Sequence, residues 1–195
     1  MVAAIGLRAA VVAPDDFRVL VIGLGGGALP TFLAHHFSYM DVQCVELDAA
    51  IADVARAHFG FKPSPRCRVH VGDGLEVVSG LAASLTDGAP PAAADDADLT
   101  RLPTALQDAI VVDVDSKDLT TGLSFPPAAF VDKAFLTQAA LCLTPQGVLV
   151  VNVACRSPAL YMETIEAIKE VFPAVLEVHI GDGDVNRVVL AAKDP

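Results

Sequence analysis

Four glycines in five positions follow a short apolar run near the start of the chain. The apolar residues 19–22 predict a buried strand of a parallel sheet, because such strands are covered on both faces and lose polar alternation. The glycines are Gly23, Gly25, Gly26 and Gly27. A loop without Cβ atoms can adopt positive φ and bring its backbone against a ligand. Pro30 suits the first turn of a helix, so the stretch predicts a strand, a glycine turn and a helix N-terminus, which together make a nucleotide site.

The glycine loop alone leaves the nucleotide open. Gly23, Gly25 and Ala28 fit the G-x-G-x-x-G/A pattern of dinucleotide sites, and glycine turns after a first strand also serve S-adenosylmethionine enzymes. A tight turn that binds no ligand is the remaining alternative, although four glycines exceed what a turn requires.

Two acidic residues downstream favour S-adenosylmethionine. Glu46 closes a predicted strand at 42–45, about 20 residues past the glycines, where a carboxylate accepts hydrogen bonds from ribose hydroxyls. Asp48, by contrast, suits the cap of the helix that follows. Asp73 ends the next predicted strand, at 68–71, and is placed to accept the exocyclic amine of an adenine.

The remaining apolar patterns alternate between helix and strand. Residues 49–59 predict a helix whose buried stripe is Ile51, Val54, Ala55 and Phe59. Further helices are predicted at 1–12, from 75, at 128–143 and at 160–172, and further strands at 109–112, 148–153, 175–180 and 187–192. The last two strands have a short connection that only antiparallel neighbours can use. The chain is therefore predicted to be an α/β protein with a mostly parallel sheet and an antiparallel C-terminal hairpin.

Composition limits the class of protein. The 195 residues suit one domain over 1–195, with a mobile insertion predicted at 86–104, which is rich in Ala, Asp and Pro. No apolar run approaches the ~20 residues that span a bilayer, and no secretory signal is recognised, so a soluble, cytoplasmic protein is expected. The net charge of −11 argues against a nucleic-acid partner and favours a basic peptide or an amine. Neither the cysteines nor the histidines show metal-site spacing, so reduced core thiols and no metal are expected.

A cluster of carboxylates follows the predicted strand 109–112. Asp113, Asp115 and Asp118 lie within six positions, and like charges so close repel one another unless a cation lies between them. The cluster therefore suits an amine, with a solvated acidic turn as the alternative. Asn152 lies at the tip of the next parallel strand, where it either holds substrate or satisfies loop backbone.

Several of these stretches resemble the class I methyltransferases, and more narrowly their spermidine-synthase-like branch. The resemblance rests on the glycine loop, on V-E-L-D at 45–48, on G-D-G at 72–74 and on the L-x-P-x-G turn at 143–147. Closer still, the runs V-I-G-L-G-G-G-A-L-P, H-F-G-F, V-D-V-D-S-K-D and N-V-A-C-R are similar to the C-terminal domain of the methyltransferase-like protein 13 family. That family methylates translation elongation factor 1-alpha on a lysine and on the N-terminal α-amine.

The resemblance implies a Rossmann-like, seven-stranded sheet and S-adenosylmethionine as the cofactor. It implies that residues 23–27 contact the methionine moiety, that Glu46 contacts the ribose, and that Asp73 and Gly74 contact the adenine. Leu47 and Asp113 complete the implied cofactor site. In polyamine synthases an aspartate at the tip of the fourth strand engages the attacking amine. An ungapped match puts that aspartate at Asp113, and a match to D-S-x-D puts it at Asp115. Asp115, from this second match, and Asn152, from its place at the strand tip, are the predicted substrate residues.

The predicted function is methyl transfer from S-adenosylmethionine to a protein amine, with elongation factor 1-alpha as the implied acceptor. An aminopropyltransferase is the first alternative, but those synthases carry an aspartate in the loop where this chain has Gly26. A nucleotide-dependent oxidoreductase is the second, but Tyr161 is followed at position 165 by Ile165, so the chain lacks a Tyr-x-x-x-Lys pair. A catalytically silent module that binds a partner protein is the third.

Overall fold

The computed structural model describes residues 17–87, 99–100, 102–116, 123–179, 181 and 186–194 of the 195-residue chain. The predicted helix at 1–12 and most of the predicted insertion at 86–104 lie outside the described residues. Within the described ranges, no helix has both the length and the apolar character needed to cross a bilayer.

Strands and helices alternate along the chain, as predicted. The strands are β1 (Phe17–Ile22), β2 (Met40–Glu46), β3 (Cys67–Val71), β4 (Gln107–Val112), β5 (Leu123–Phe125), β6 (Leu143–Cys155), β7 (Ala174–His179) and β8 (Asn186–Ala192). The helices are α1 (Ala28–His36), α2 (Ala49–His58), α3 (Gly74–Thr86), α4 (Lys133–Cys142) and α5 (Pro158–Lys169), with one 3-10 turn at Ala128–Phe130.

The strands form one sheet in the order β3-β2-β1-β4-β6-β8-β7. The first five strands in this order are parallel, whereas β8 runs antiparallel to both β6 and β7. The mostly parallel seven-stranded sheet and its terminal hairpin are thus confirmed. The short β5 is an addition that pairs antiparallel with the end of β6, and three residues are too few to show a strand pattern in the sequence.

Strands β1, β2 and β3 follow one another in one direction across the sheet, whereas β4 lies on the other side of β1. The carboxyl ends of β1 and β4 therefore flank the point where strand order reverses. In open α/β sheets, ligands bind in the crevice at that point.

The sheet is covered on both faces, which explains its unbroken apolar strands. In β4, Ala109 and Val111 pack into the cluster that includes α1 and α2, whereas Ile110 and Val112 pack into the cluster of α3, α4 and α5. All four side chains are fully buried. The central strands are therefore rigid supports for the loops at their carboxyl ends.

The predicted buried stripe of α2 is mostly wrong. Ala52 and Ala55 are the buried residues of this helix, whereas Ile51, Val54 and Phe59 are 36%, 42% and 67% exposed. Alanine at the contact positions lets the helix lie close to the sheet, and the larger side chains beside them then fall outside the contact. The buried face of the helix is therefore the one that carries Ala52 and Ala55, and the bulkier apolar residues lie beside it.

The predicted turn at 143–147 is also wrong. Strand β6 begins at Leu143, and its pairing with β4 shifts register between Gln107 and Ala109. The Pro and Gly of this stretch therefore mark an irregularity inside a strand rather than a turn before it, which is a known position for these residues in sheets.

The end of the predicted insertion lies along the open edge of the sheet. The amide of Val69 donates to the carbonyl of Leu99 at 3.2 Å, and Nδ1 of His70 lies 3.1 Å from the carbonyl oxygen of Thr100. A segment bound there shields part of an edge strand from pairing with another chain.

The cysteines give a prediction about thiol reactivity. Cys44, Cys67 and Cys142 are buried, whereas Cys155 is half-buried. The hydrogen bond to Cys67, together with burial, raises the pKa of the Cys44 thiol, and burial raises the pKa of Cys142 to about 12. The hydrogen bond with Cys44 instead lowers the pKa of Cys67, but that thiol is only 3% exposed, so its burial keeps the reagent away. The native protein at pH 7 is therefore expected to react with Ellman's reagent at Cys155 and at the other three only after unfolding.

The control for this titration is Cys155→Ser, which is expected to abolish the reaction of the native protein. Rapid reaction of two or more thiols before unfolding would contradict the buried placement of the other three.

Candidate functional site

The carboxyl ends of four parallel strands meet at one edge of the sheet, here called the carboxyl rim. Backbone hydrogen bonds join them: the amide of Gly23 donates to Val45, that of Gly72 to Glu46, and that of Asp113 to Ile22, at 2.8–2.9 Å. The glycine loop, the second-strand acid, the third-strand acid and the fourth-strand acid are therefore brought together at this rim.

The glycine loop is packed against protein at most of its positions. A Cβ added to Gly23 would lie 2.2 Å from the backbone oxygen of Asp113, and one added to Gly27 would lie 2.8 Å from the Phe61 ring. One added to Gly26 would lie 3.3 Å from Phe59. Gly25 differs, because it is exposed, has φ +53° and has nothing within 4 Å of an added Cβ. Gly25 is thus the position of the loop that faces open space.

Glu46 ties the glycine loop to the end of β2. One carboxylate oxygen accepts from the amides of Leu24 at 2.9 Å and Gly25 at 3.4 Å, and the other accepts from the amide of Asp48 at 3.1 Å. A carboxylate offers about four acceptor positions, so one remains for a ligand hydroxyl, and exchange of the long Gly25 contact would free a second. Glu46 has the acceptor capacity that a ribose requires.

Asp73 caps α3, a role that the sequence did not single out for it. Its Oδ1 accepts from the amide of Leu75 at 2.8 Å. The next residue, Gly74, has room for no side chain, because an added Cβ would lie 2.4 Å from Cγ2 of Ile22. Asp48 caps α2 in the same way through the amide of Ala50, as predicted.

The structure separates the two aspartates that the sequence left as alternatives. Asp113 is half-buried, and its Oδ1 accepts a hydrogen bond from Nδ2 of Asn152 at 3.0 Å. Asp115 is exposed. Asp118 lies outside the described residues, so the cluster can be described only for its first two members. Asp113 is the carboxylate held at the rim between the glycine loop and β6.

Two apolar side chains near the glycine loop and Glu46 are strongly exposed. Leu47, directly after Glu46, is 73% exposed, and Phe59, which lies against Gly26, is 67% exposed. Leu47 belongs to the predicted site. Phe59 and the buried Phe61 were not predicted to contact the loop, and their sequence signal was the H-F-G-F run that contributes to the family resemblance.

The acids of the carboxyl rim have no cationic partners among the described residues. The ion pairs of the described chain join Arg56 to Asp53, Arg68 to Asp41, Lys133 to Glu170 and Lys169 to Glu166, and none of them includes an acid of the rim. The described rim acids are Glu46, Asp48, Asp73, Glu76, Asp113 and Asp115. Their negative charge is therefore available to a cationic ligand. The described residues contain no group of three or more His, Cys, Asp or Glu that could hold a metal ion.

No protein-family model matches the chain. It is 38% identical over 177 residues to the eEF1A lysine and N-terminal methyltransferase of Homo sapiens, and 32% identical over 176 residues to the homolog in Drosophila melanogaster. These alignments cover 91% and 90% of this chain but 23% of each relative, so the chain spans about a quarter of their length.

Among solved structures, human methyltransferase-like protein 13 in complex with SAH matches with a TM-score of 0.81 and 35% sequence identity. The match covers 98% of this chain and 80% of that one. The chain belongs to the methyltransferase-like protein 13 family. The resemblance inferred from the sequence motifs and the Rossmann-like methyltransferase fold are thereby confirmed.

The methyltransferase-like protein 13 family shares its fold with polyamine enzymes. A probable spermidine synthase from Corynebacterium glutamicum matches with a TM-score of 0.71 at 22% identity, covering 97% of this chain and 61% of that one. The polyamine aminopropyltransferase of Vibrio vulnificus is 42% identical over 60 residues, which is 31% of this chain and 20% of that protein. The sequence identity to the polyamine enzymes is thus low over the whole chain in one case and limited to 60 residues in the other.

Glu46→Gln is expected to weaken binding of S-adenosylhomocysteine by about tenfold to a hundredfold. The substitution removes the charge and turns one acceptor oxygen into a donor that faces backbone amides, and hydrogen bonds to charged groups contribute about 1.5–3 kcal/mol. Isothermal titration calorimetry measures the change. Asp53→Asn, an exposed acid on the outer face of α2, is the matched control. Equal affinity of Glu46→Gln and wild type would contradict a role for Glu46 in cofactor binding.

Proposed function

We propose that this chain is an S-adenosylmethionine-dependent methyltransferase that acts on a protein amine. The observation that carries the proposal is that the glycine loop, Glu46 and Asp113 meet at the carboxyl rim, where strand order reverses. It is supported by family membership, because the human family member was crystallised with SAH. We further propose elongation factor 1-alpha as the acceptor, since the curated relatives are named for it, and a cytoplasmic location.

The residues at the rim fit the cofactor. Gly25 leaves open space beside the loop, Glu46 keeps acceptor capacity for ribose hydroxyls, and the exposed Leu47 offers apolar surface to an adenine. Asp73 uses Oδ1 to cap α3 and has a second oxygen to accept an adenine amine. When bound, S-adenosylmethionine supplies a methyl group that its sulfonium has already made electrophilic.

The protein's own contribution is then to hold a neutral amine in line with the methyl group, which is mainly a matter of proximity. We assign this role to Asp113 rather than Asp115. Asp113 is fixed at the rim by its backbone and by Asn152, whereas Asp115 is exposed beyond it. The Asp113 carboxylate accepts a hydrogen bond from the amine and stabilises the positive charge that develops on nitrogen during transfer. Asp115 and the other rim acids attract the basic segment that carries the amine.

Aminopropyl transfer is the second candidate, because of the local identity to the Vibrio enzyme. The loop argues against it: the polyamine synthases carry an aspartate where this chain has Gly26, and a side chain there would meet the Phe59 ring at 3.3 Å. Product analysis with an amine acceptor and decarboxylated S-adenosylmethionine distinguishes the two.

The proposal is tested by incubating the protein with tritiated S-adenosylmethionine and purified elongation factor 1-alpha. Label is expected in the factor, and mass spectrometry of its peptides locates the amine. Label on a different protein amine would retain the enzyme and reject the named acceptor. No transfer to any amine, together with no affinity for S-adenosylhomocysteine, would leave a silent binding module.

A further inference from the structure

Asn152 is a polar residue inside the apolar run that forms the second half of β6. Residues 148–151 and 153 of β6 are buried hydrophobic side chains, and Asn152 between them is half-buried. The strand lies between β4 and β8, with Asn152 directly opposite Val188. The pairing with β4 ends at Val151, one residue earlier, and the pairing with β8 continues through Asn152. The backbone of Asn152 is therefore held in the sheet beside the end of β4, where Asp113 follows.

The side chain of Asn152 meets the site through one contact. Its Nδ2 donates to Oδ1 of Asp113 at 3.0 Å. Since a carboxylate only accepts hydrogen bonds, the amide nitrogen must be the atom that faces it. The sequence left open whether Asn152 holds substrate or satisfies loop backbone. In the structure its side chain makes a different contact, with the carboxylate of Asp113.

Asp113 is restrained at three of its atoms. Its amide donates to the carbonyl of Ile22 at 2.9 Å, its carbonyl oxygen packs against Gly23, and its Oδ1 accepts from Asn152. No described residue donates to Oδ2. The arrangement fixes the rotation of the carboxylate and leaves one oxygen for an amine.

We propose that Asn152 is a positioning residue, which orients the Asp113 carboxylate towards the acceptor amine; this rests on the proposed function. An amide suits the task because it donates without charge. A lysine or arginine at this position would neutralise Asp113 and compete with the acceptor, whereas an aspartate would repel it. Asn152 thus acts through Asp113 rather than by contacting substrate.

The test compares a substitution that removes the donor with one that keeps it. Asn152→Asp replaces the donor with a charged acceptor and is expected to lower kcat by about 10²-fold, the cost of misplacing a reacting group by about 1 Å. Asn152→His keeps an N–H donor the same number of bonds from the backbone. Its kcat is expected to stay within about tenfold of wild type. The affinity for S-adenosylhomocysteine and the KM for the acceptor peptide are expected to change by about twofold or less in both.

A mutant cycle decides whether Asn152 works through Asp113. In an Asp113→Ala background, Asn152→Asp is expected to cost nothing further in rate, because the group it orients is gone. The same fold loss in both backgrounds would overturn the proposal, as would equal losses for the Asp and His variants.

The melting temperatures of wild type, Asn152→Asp, Asp113→Ala and the double variant test the contact between Asn152 and Asp113 without any measurement of methyl transfer. Asn152→Asp is expected to lower the melting temperature of the wild type and not that of Asp113→Ala, whether or not any amine is methylated. If wild type transfers no methyl group, the proposed function fails while this cycle still reports the coupling. Additive shifts in melting temperature would overturn the coupling itself.

Discussion

Asp113→Ala is expected to lower the rate of methyl transfer by about 10²–10³-fold, the usual cost of removing one group that stabilises charge in a transition state. The carboxylate is held beside the glycine loop by its own amide and by Asn152, so it is the described acid best fixed to meet an amine. Initial rates at saturating S-adenosylmethionine measure the effect. Binding of S-adenosylhomocysteine is expected to change less than the rate, because most of the residues that we propose to contact the cofactor follow other strands.

Asp115→Ala is the matched control for this variant. Asp115 lies two residues further along the same loop, carries the same charge and is exposed. Its loss is expected to raise the KM for a basic acceptor modestly and to leave kcat close to wild type. A larger loss of kcat in Asp115→Ala than in Asp113→Ala would show that the amine is held by the second aspartate and that our assignment is wrong.

Gly23→Ala is expected to destabilise the protein by about 3 kcal/mol or more. Gly23 has φ +94°, and an added Cβ would lie 2.2 Å from the backbone oxygen of Asp113, so both backbone strain and overpacking contribute. For a chain of this size the melting temperature should fall by about 6–12 °C. The clash also displaces Asp113, so any folded fraction should transfer methyl groups poorly.

Gly25→Ala provides the contrast within the same loop. Its φ of +53° lies in the left-handed region, which costs a residue with a side chain about 1–2 kcal/mol. An added Cβ meets nothing within 4 Å, so the loss of stability should be limited to that amount. The new methyl group would instead occupy the open space where a cofactor fits. Gly25→Ala should therefore remain folded and bind S-adenosylhomocysteine weakly. A Gly23→Ala protein as stable as Gly25→Ala would contradict the packing of the loop against Asp113.

The parts of the site that the sequence predicted depend on local pattern. A strand, a glycine turn and a helix can be read from adjacent residues, and parallel strands end at a shared edge, so Glu46, Asp73 and Asp113 were expected at one rim. The antiparallel hairpin at the C-terminus was predictable because the connection between its strands is short.

The parts that the sequence did not predict depend on packing between distant residues. Asn152 contacts Asp113 only because β4 and β6 are neighbours in a particular register. Phe61, three residues after the end of α2, packs against Gly27. Glu46 accepts hydrogen bonds from the loop amides of Leu24 and Gly25, a structural role that its position in the sequence does not show. The predicted buried stripe of α2 is correct at Ala55 and wrong at its larger members, because the contact with the sheet is made by the small residues Ala52 and Ala55.

Calorimetric titration of the wild-type protein with S-adenosylhomocysteine tests the central claim, that the carboxyl rim forms an adenosyl pocket around the glycine loop and Glu46. The account predicts saturable one-to-one binding that both Gly25→Ala and Glu46→Gln weaken while the proteins remain folded. Absence of binding to the folded wild type, or binding that neither substitution alters, would contradict it.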